Sequence, residues 1–129
     1  MTARWSAWAP NQVVGSSDPT AHAEVVALRD AAGRLGTHLL TGCAVYASCE
    51  PCPMCLAASF WARVDRVVFA ASWHDAAAAG FDDAELYAEM LAAAGGGDRE
   101  PLLPVVQLLS SEGDEPFAAW AANPDRVPY

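Results

Sequence analysis

The sequence predicts an α/β fold, and three observations carry that prediction. Two short apolar runs, Cys43 to Ser48 and Arg66 to Ala71, read as strands. Between them, Pro53 to Arg63 reads as a helix with proline at its first position. Ahead of them, Thr20 to Arg34 runs without a breaker until Gly33. Strand, helix and strand in that order imply a right-handed parallel crossover. A chain of 129 residues is long enough for one hydrophobic core and not for two, so residues 1–129 are expected to form a single domain.

Taken in order, Asp18-Pro19 supplies an N-cap followed by proline at the first helical position, which puts His22 and Glu24 in the first turns of the first long helix. Gly42 and a proline-rich turn bound the first strand, whose C-terminal end delivers Cys52. Pro53 places Cys52 near the N-cap of the second helix and Cys55 in its first turn, where backbone N–H groups and the helix dipole favour a thiolate. The near-continuous apolar run from Arg66 is the pattern of a strand covered on both faces. Asp83 to Ala94 reads as a helix, Gly95 to Asp98 as a flexible loop, Leu102 to Leu109 as a last strand and Glu115 to Ala122 as a short helix. Asn123 to Tyr129 reads as a polar, proline-containing tail.

Seven Lys and Arg face sixteen Asp and Glu, a formal charge of −9. That balance opposes gripping a long polyanion through phosphate contacts and favours a small or neutral substrate. The stretch before Asn11 has no apolar run of signal-peptide or membrane-span length, so a cytoplasmic protein is expected. Cys52 and Cys55 stand in C-x-x-C spacing, which in such a chain points to metal ligands before disulfides. Cys43 and Cys49 read as small buried hydrophobes.

His22-Ala-Glu24 and the later run Glu50-Pro-Cys52-Pro-Met-Cys55 carry the chemistry. C-x-x-C alone is shared by redox sites and structural zinc. A redox role leaves His22 and Glu24 without a task. A structural zinc usually has four protein ligands, whereas three leave a position for water. His22, Cys52 and Cys55 make three, and His38 and His74 stand alone. One zinc ion per chain is therefore expected, with Glu24 as the carboxylate that moves protons beside it. This arrangement is the known H-x-E…P-C-x-x-C signature of zinc base deaminases.

On these residues the chain resembles the cytidine deaminase superfamily, and within it the bacterial guanine deaminases. The runs Asp18-Pro-Thr-Ala-His-Ala-Glu-Val and Ser48-Cys-Glu-Pro-Cys-Pro-Met-Cys carry the likeness, with Trp61-Ala-Arg63 and Asp75 to Asp83. The likeness extends from Asn11 to Tyr129. It implies a three-layer α/β/α fold with a mixed central sheet of five strands, zinc on His22, Cys52 and Cys55, and Glu24 as the catalytic proton shuttle. It also implies that Asn11, Trp61 and Asp83 contact a nucleobase, Asp83 accepting guanine N–H groups. A helix cap by Asp82 or Asp83 is the alternative there. The resemblance further implies a homodimer that exchanges C-terminal segments, so that Tyr129 closes the partner's site; a solvated tail is the plain alternative.

The implied reaction is hydrolysis of guanine to xanthine and ammonia. Adenosine in tRNA, another nucleoside, cytosine or an aminotriazine are alternative substrates, and a truncated zinc-stapled interaction domain is the non-enzymatic alternative. The chain departs from its relatives in being N-terminally short. They carry a helix and a strand pair before the Asn11 region, on the order of thirty residues more. Three expectations follow: a start placed too late, a strand improvised by Thr2 to Trp8, or stability that depends on a partner subunit. A version extended upstream is expected to be the more stable.

Overall fold

The computed structural model describes residues 7–81, 83–94, 105–108 and 115–127. The chain forms two compact units, Met1–Ala88 and Glu89–Tyr129. In the first unit lie α1 (Val13–Ser16), α2 (Ala23–Leu35), β1 (Ala44–Cys49), α3 (Pro53–Trp61), β2 (Arg66–Ala71), α4 (Trp73–Ala78) and most of α5 (Asp83–Ala93). The second unit holds the end of α5 and α6 (Glu115–Ala122).

β1, α3 and β2 form the expected crossover. Among the described residues, β1 and β2 make a two-stranded parallel sheet, in register from Ala44 opposite Arg66 to Cys49 opposite Ala71. Leu40 threads the return: its N–H donates to the Ala62 carbonyl at 2.7 Å, just past the end of α3. Gly42 turns the chain into β1 at φ 84, a left-handed conformation natural to glycine, and its N–H donates to Asp65 Oδ1 at 2.9 Å. The N-terminal end of the β1–β2 pair, where Ala44 faces Arg66, is thereby fixed to the α3 connection.

α2 buries Val25, Leu28 and Ala31, one stripe at spacing three. Leu28 and Ala31 pack with Leu40, against Cys43, Val45, Ala58, Ala62 and Val64. Val25 packs with Cys52 and Cys55, against Met54 and Ala58. The stripe that builds the core thus also carries the His22 end of α2 onto the two cysteines of α3. Leu40 and Cys55 are the largest fully buried side chains among the described residues.

Several boundaries differ from the sequence expectation. α2 starts at Ala23, not Thr20, because Asp18 spends its carboxylate on a turn: Oδ1 accepts from Thr20 N–H at 2.8 Å and from its hydroxyl at 2.7 Å. His22 is left as the extended N-cap, at φ −63 and ψ 151. α3 ends at Trp61, two residues early, because Arg63 takes a left-handed φ of 57. β2 matches its expected span but not its expected coverage: Val68 and Phe69 are 40% and 45% exposed. A strand buried on both faces needs neighbours on each side, and among the described residues β2 pairs with β1 alone.

α4 is an addition to the sequence reading. Ser72 caps it with a reciprocal box: the Asp75 N–H donates to Ser72 Oγ, and Ser72 N–H donates to Asp75 Oδ2 at 2.8 Å. Of the expected last strand, residues 105–108 are exposed and carry no strand, and the rest lies outside the described residues. The expected strand of Thr2 to Trp8 falls, up to residue 6, outside them as well, as does the whole of the 95–98 loop. In the second unit, α6 has no buried residue, and Phe117 is 74% exposed. The turn after α6 brings the Arg126 guanidinium 5.7 Å from the centre of the Trp120 ring.

Candidate metal centre

His22, at the N-cap of α2, and Cys52, at the N-cap of α3, face each other, with Cys55 one turn into α3. His22 Nδ1 lies 3.6 Å from Cys52 Sγ and 3.5 Å from Cys55 Sγ, and the two sulfurs are 3.7 Å apart. The His22 ring makes no cap hydrogen bond to its own helix and faces the two sulfurs. The expectation that Cys52 caps α3 and that Cys55 sits in its first turn holds. His22 lies one step outside the helix it was expected to enter.

These three donors suit zinc. A tetrahedral ion with Zn–S near 2.3 Å and Zn–N near 2.0–2.1 Å sets its ligand atoms roughly 3.5–3.8 Å apart. The observed edges fall in that range, and the three atoms form a metal-capable group within 4.8 Å. Thiolate and imidazole are zinc's ordinary partners.

The hydrogen bond between the Cys52 and Cys55 sulfurs, with the N–H groups of Cys55 and Met54 and the nearby His22 ring, holds Cys52 down at about 6 despite burial. The same bond, burial and the Glu24 carboxylate push Cys55 well up. Glu24 Oε2 stands 3.4 Å from Cys55 Sγ, which brings the expected proton carrier to the edge of the three-donor group.

Glu24 also lines a cavity of about 1100 Å³ that runs along α2 and β1. Asn11 is at the same cavity, though its Oδ1 accepts from the Val13 N–H at 3.0 Å. Trp61, the last residue of α3, is 60% exposed, lies outside that lining and sits 6.0 Å from the Arg63 guanidinium. Asp83 opens α5, but its side chain is outside the described residues, as is Tyr129. All four cysteines are free; Cys43 and Cys49 are half-buried rather than buried. The spacing of residues gives no notice of two hydrogen bonds that hold the stem before Cys52, from the Trp73 N–H to Glu50 and from the Tyr87 hydroxyl to Pro51.

A parallel β–α–β unit that closes His, Cys and Cys at two helix N-termini, with a glutamate against the sulfur, defines a zinc deaminase centre. The comparisons with known proteins agree. Residues 4–71 match the cytidine and deoxycytidylate deaminase zinc-binding region. The chain is 49% identical over 119 residues to guanine deaminase of Bacillus subtilis, covering 92% of this chain and 74% of that protein. The crystal structure of a Bacillus subtilis guanine deaminase superposes with a TM-score of 0.86 at 45% identity, over 95% of this chain and 76% of that one. A tRNA-specific adenosine deaminase of Aquifex aeolicus is 46% identical over 63 residues, 49% of this chain and 42% of its own length.

The chain belongs to the zinc-binding cytidine and deoxycytidylate deaminase family. It has the cytidine-deaminase-like fold and is a zinc-dependent deaminase. No helix among the described residues is long and apolar enough to cross a membrane.

Proposed function

We propose that the chain deaminates guanine by hydrolysis, with water and guanine giving xanthine and ammonia. One observation carries the chemistry: Glu24 Oε2 stands 3.4 Å from Cys55 Sγ, beside the His22, Cys52 and Cys55 donors, and Glu24 is also among the residues lining the cavity along α2 and β1. A carboxylate that reaches both can take a proton from water beside the donors and return it to the ring nitrogen and the leaving amine. Bound zinc supplies the Lewis acidity that readies that water. His22, Cys52 and Cys55 hold the ion.

Guanine is favoured over adenosine in tRNA by two facts. The similarity to guanine deaminase runs over nearly the whole chain, whereas the tRNA-specific enzyme matches half of it. The charge of −9 opposes a polyanionic substrate. In this reading Asp83 accepts the N1 and amino hydrogens of guanine, Asn11 steadies the base at the cavity, and Trp61, outside that lining, joins in binding the substrate. The enzyme acts in the cytoplasm, in purine metabolism, as a homodimer whose exchanged C-terminal segments bring Tyr129 over the partner's site. The exposed Phe60, Trp61 and Phe69 of α3 and β2 support burial against another subunit.

The test is ammonia release from guanine by zinc-loaded protein, with Glu24→Gln as control. The parent turns over. The variant keeps its zinc and loses about 10²–10⁴-fold in rate. Turnover retained by Glu24→Gln sinks the proton-carrier role, and no release from the zinc-replete parent sinks guanine.

A further inference from the structure

Two residues, Glu50 and Pro51, carry the chain from the end of β1 to Cys52, and three separate elements hold them. The Glu50 N–H donates to the Ala71 carbonyl at 2.7 Å, which extends the parallel ladder one residue past β1. The Glu50 carboxylate accepts the Trp73 N–H through Oε2 at 3.1 Å. The Pro51 carbonyl accepts the Tyr87 hydroxyl at 3.3 Å. Trp73 is the first residue of α4, and the N–H groups of a first turn have no acceptor inside their helix. Ser72 takes the N–H of Asp75, and Glu50 takes that of Trp73. β2, α4 and α5 thus each place a hydrogen bond on the stem of one metal-binding thiol.

Cys52 has one rotatable bond between its backbone and its sulfur, so the backbone before it decides where that sulfur stands. A stem that orders itself only when metal binds loses affinity to the entropy of the ordering. A stem tied down beforehand does not. The geometry points to Glu50 and Tyr87 as positioning residues of the metal centre. They fix Glu50 and Pro51 so that Cys52 meets His22 at 3.6 Å and Cys55 at 3.7 Å. Glu50 is no ligand: the metal-capable group consists of His22, Cys52 and Cys55. The assignment rests on the reading of Cys52 as a zinc ligand.

The full chain, stripped of metal, is titrated with zinc against a competing chelator and, separately, with cobalt(II) as a spectroscopic probe. Glu50→Ala weakens zinc binding about tenfold and shifts the cobalt d–d bands. Glu50→Gln keeps an acceptor oxygen and restores affinity to within about twofold. Tyr87→Phe removes one hydroxyl from a ring that is 38% exposed, a change the fold tolerates, and weakens zinc about threefold. If Glu50 serves only as a cap for α4, Glu50→Ala lowers the metal-free Tm but leaves zinc affinity and the cobalt spectrum parental; that result overturns the assignment. Should Glu50→Ala fail to fold, Tyr87→Phe decides: parental affinity and spectrum overturn the proposal. No substrate enters these titrations, so a parent that ignores guanine would sink the substrate reading and leave this result standing.

Discussion

At the residue scale, the contact between the two thiols drives their titrations in opposite directions. Cys52 is held down at about 6 chiefly by its hydrogen bond with the Cys55 sulfur; Cys55 is pushed up by the same bond, by burial and by the Glu24 carboxylate. Between about pH 6 and the ordinary thiol value of 9.0, folded Cys52 is deprotonated while its unfolded counterpart holds a proton. Stability from Cys52 therefore rises with pH across that window and is lost as pH falls through about 6. Cys55 acts in the opposite sense: above 9.0 the unfolded thiol loses its proton, the folded one keeps it, and stability falls. The Tm of chelator-treated protein, followed by circular dichroism, is expected to rise from pH 6 to 9 and drop beyond. Cys52→Ser flattens the rise and abolishes zinc binding, and with it the added stability of the metal-loaded state. A parental slope in that variant would show that other groups set the pH dependence.

At the scale of elements, α4 connects packing to the centre. Its capping box satisfies two orphan N–H groups, and its first N–H rests on Glu50. Ser72→Ala is expected to cost about 1 kcal/mol, a Tm drop of roughly 3–6 °C, read by thermal melting. An unchanged Tm would mean that α4 frays without consequence. How far these elements are legible in sequence depends on what signals them. β2 and α6 match their expected spans: its near-continuous apolar run marks β2, and Asn123-Pro124 ends α6. α4 has six residues, too few to display a helical period, and its alanines carry no amphipathic contrast; the Ser72-x-x-Asp75 box was the available sign. The start of α2 slips by three residues because Asp18 prefers a local turn to the helix end, a competition that residue types alone do not decide. The centre was more legible than the fold around it. His22, Glu24, Cys52 and Cys55 are few in kind, specific in chemistry and fixed in spacing. Glu50 and Tyr87 were not legible as a pair, because their convergence on one stem is tertiary and spans 36 residues between Pro51 and Tyr87.

For the whole molecule, charge separates the substrates that sequence motifs leave together. The zinc centre alone does not discriminate guanine from adenosine in tRNA, since the same donors and glutamate serve either ring. The surrounding field does discriminate. Sixteen acidic side chains against seven basic ones give −9, and binding a tRNA would require phosphate contacts made in opposition to that field. Guanine is neutral and escapes the penalty. Its kcat/KM is therefore expected to vary by less than about twofold between 50 and 200 mM salt, a range over which a protein with six or more phosphate contacts loses about 10³-fold or more in affinity. Added tRNA should not inhibit guanine turnover at either salt concentration. The measurement is a pair of steady-state curves with and without tRNA. Inhibition by tRNA at low salt that disappears at high salt would reveal a basic track concealed within the acidic total and return adenosine in tRNA to the front.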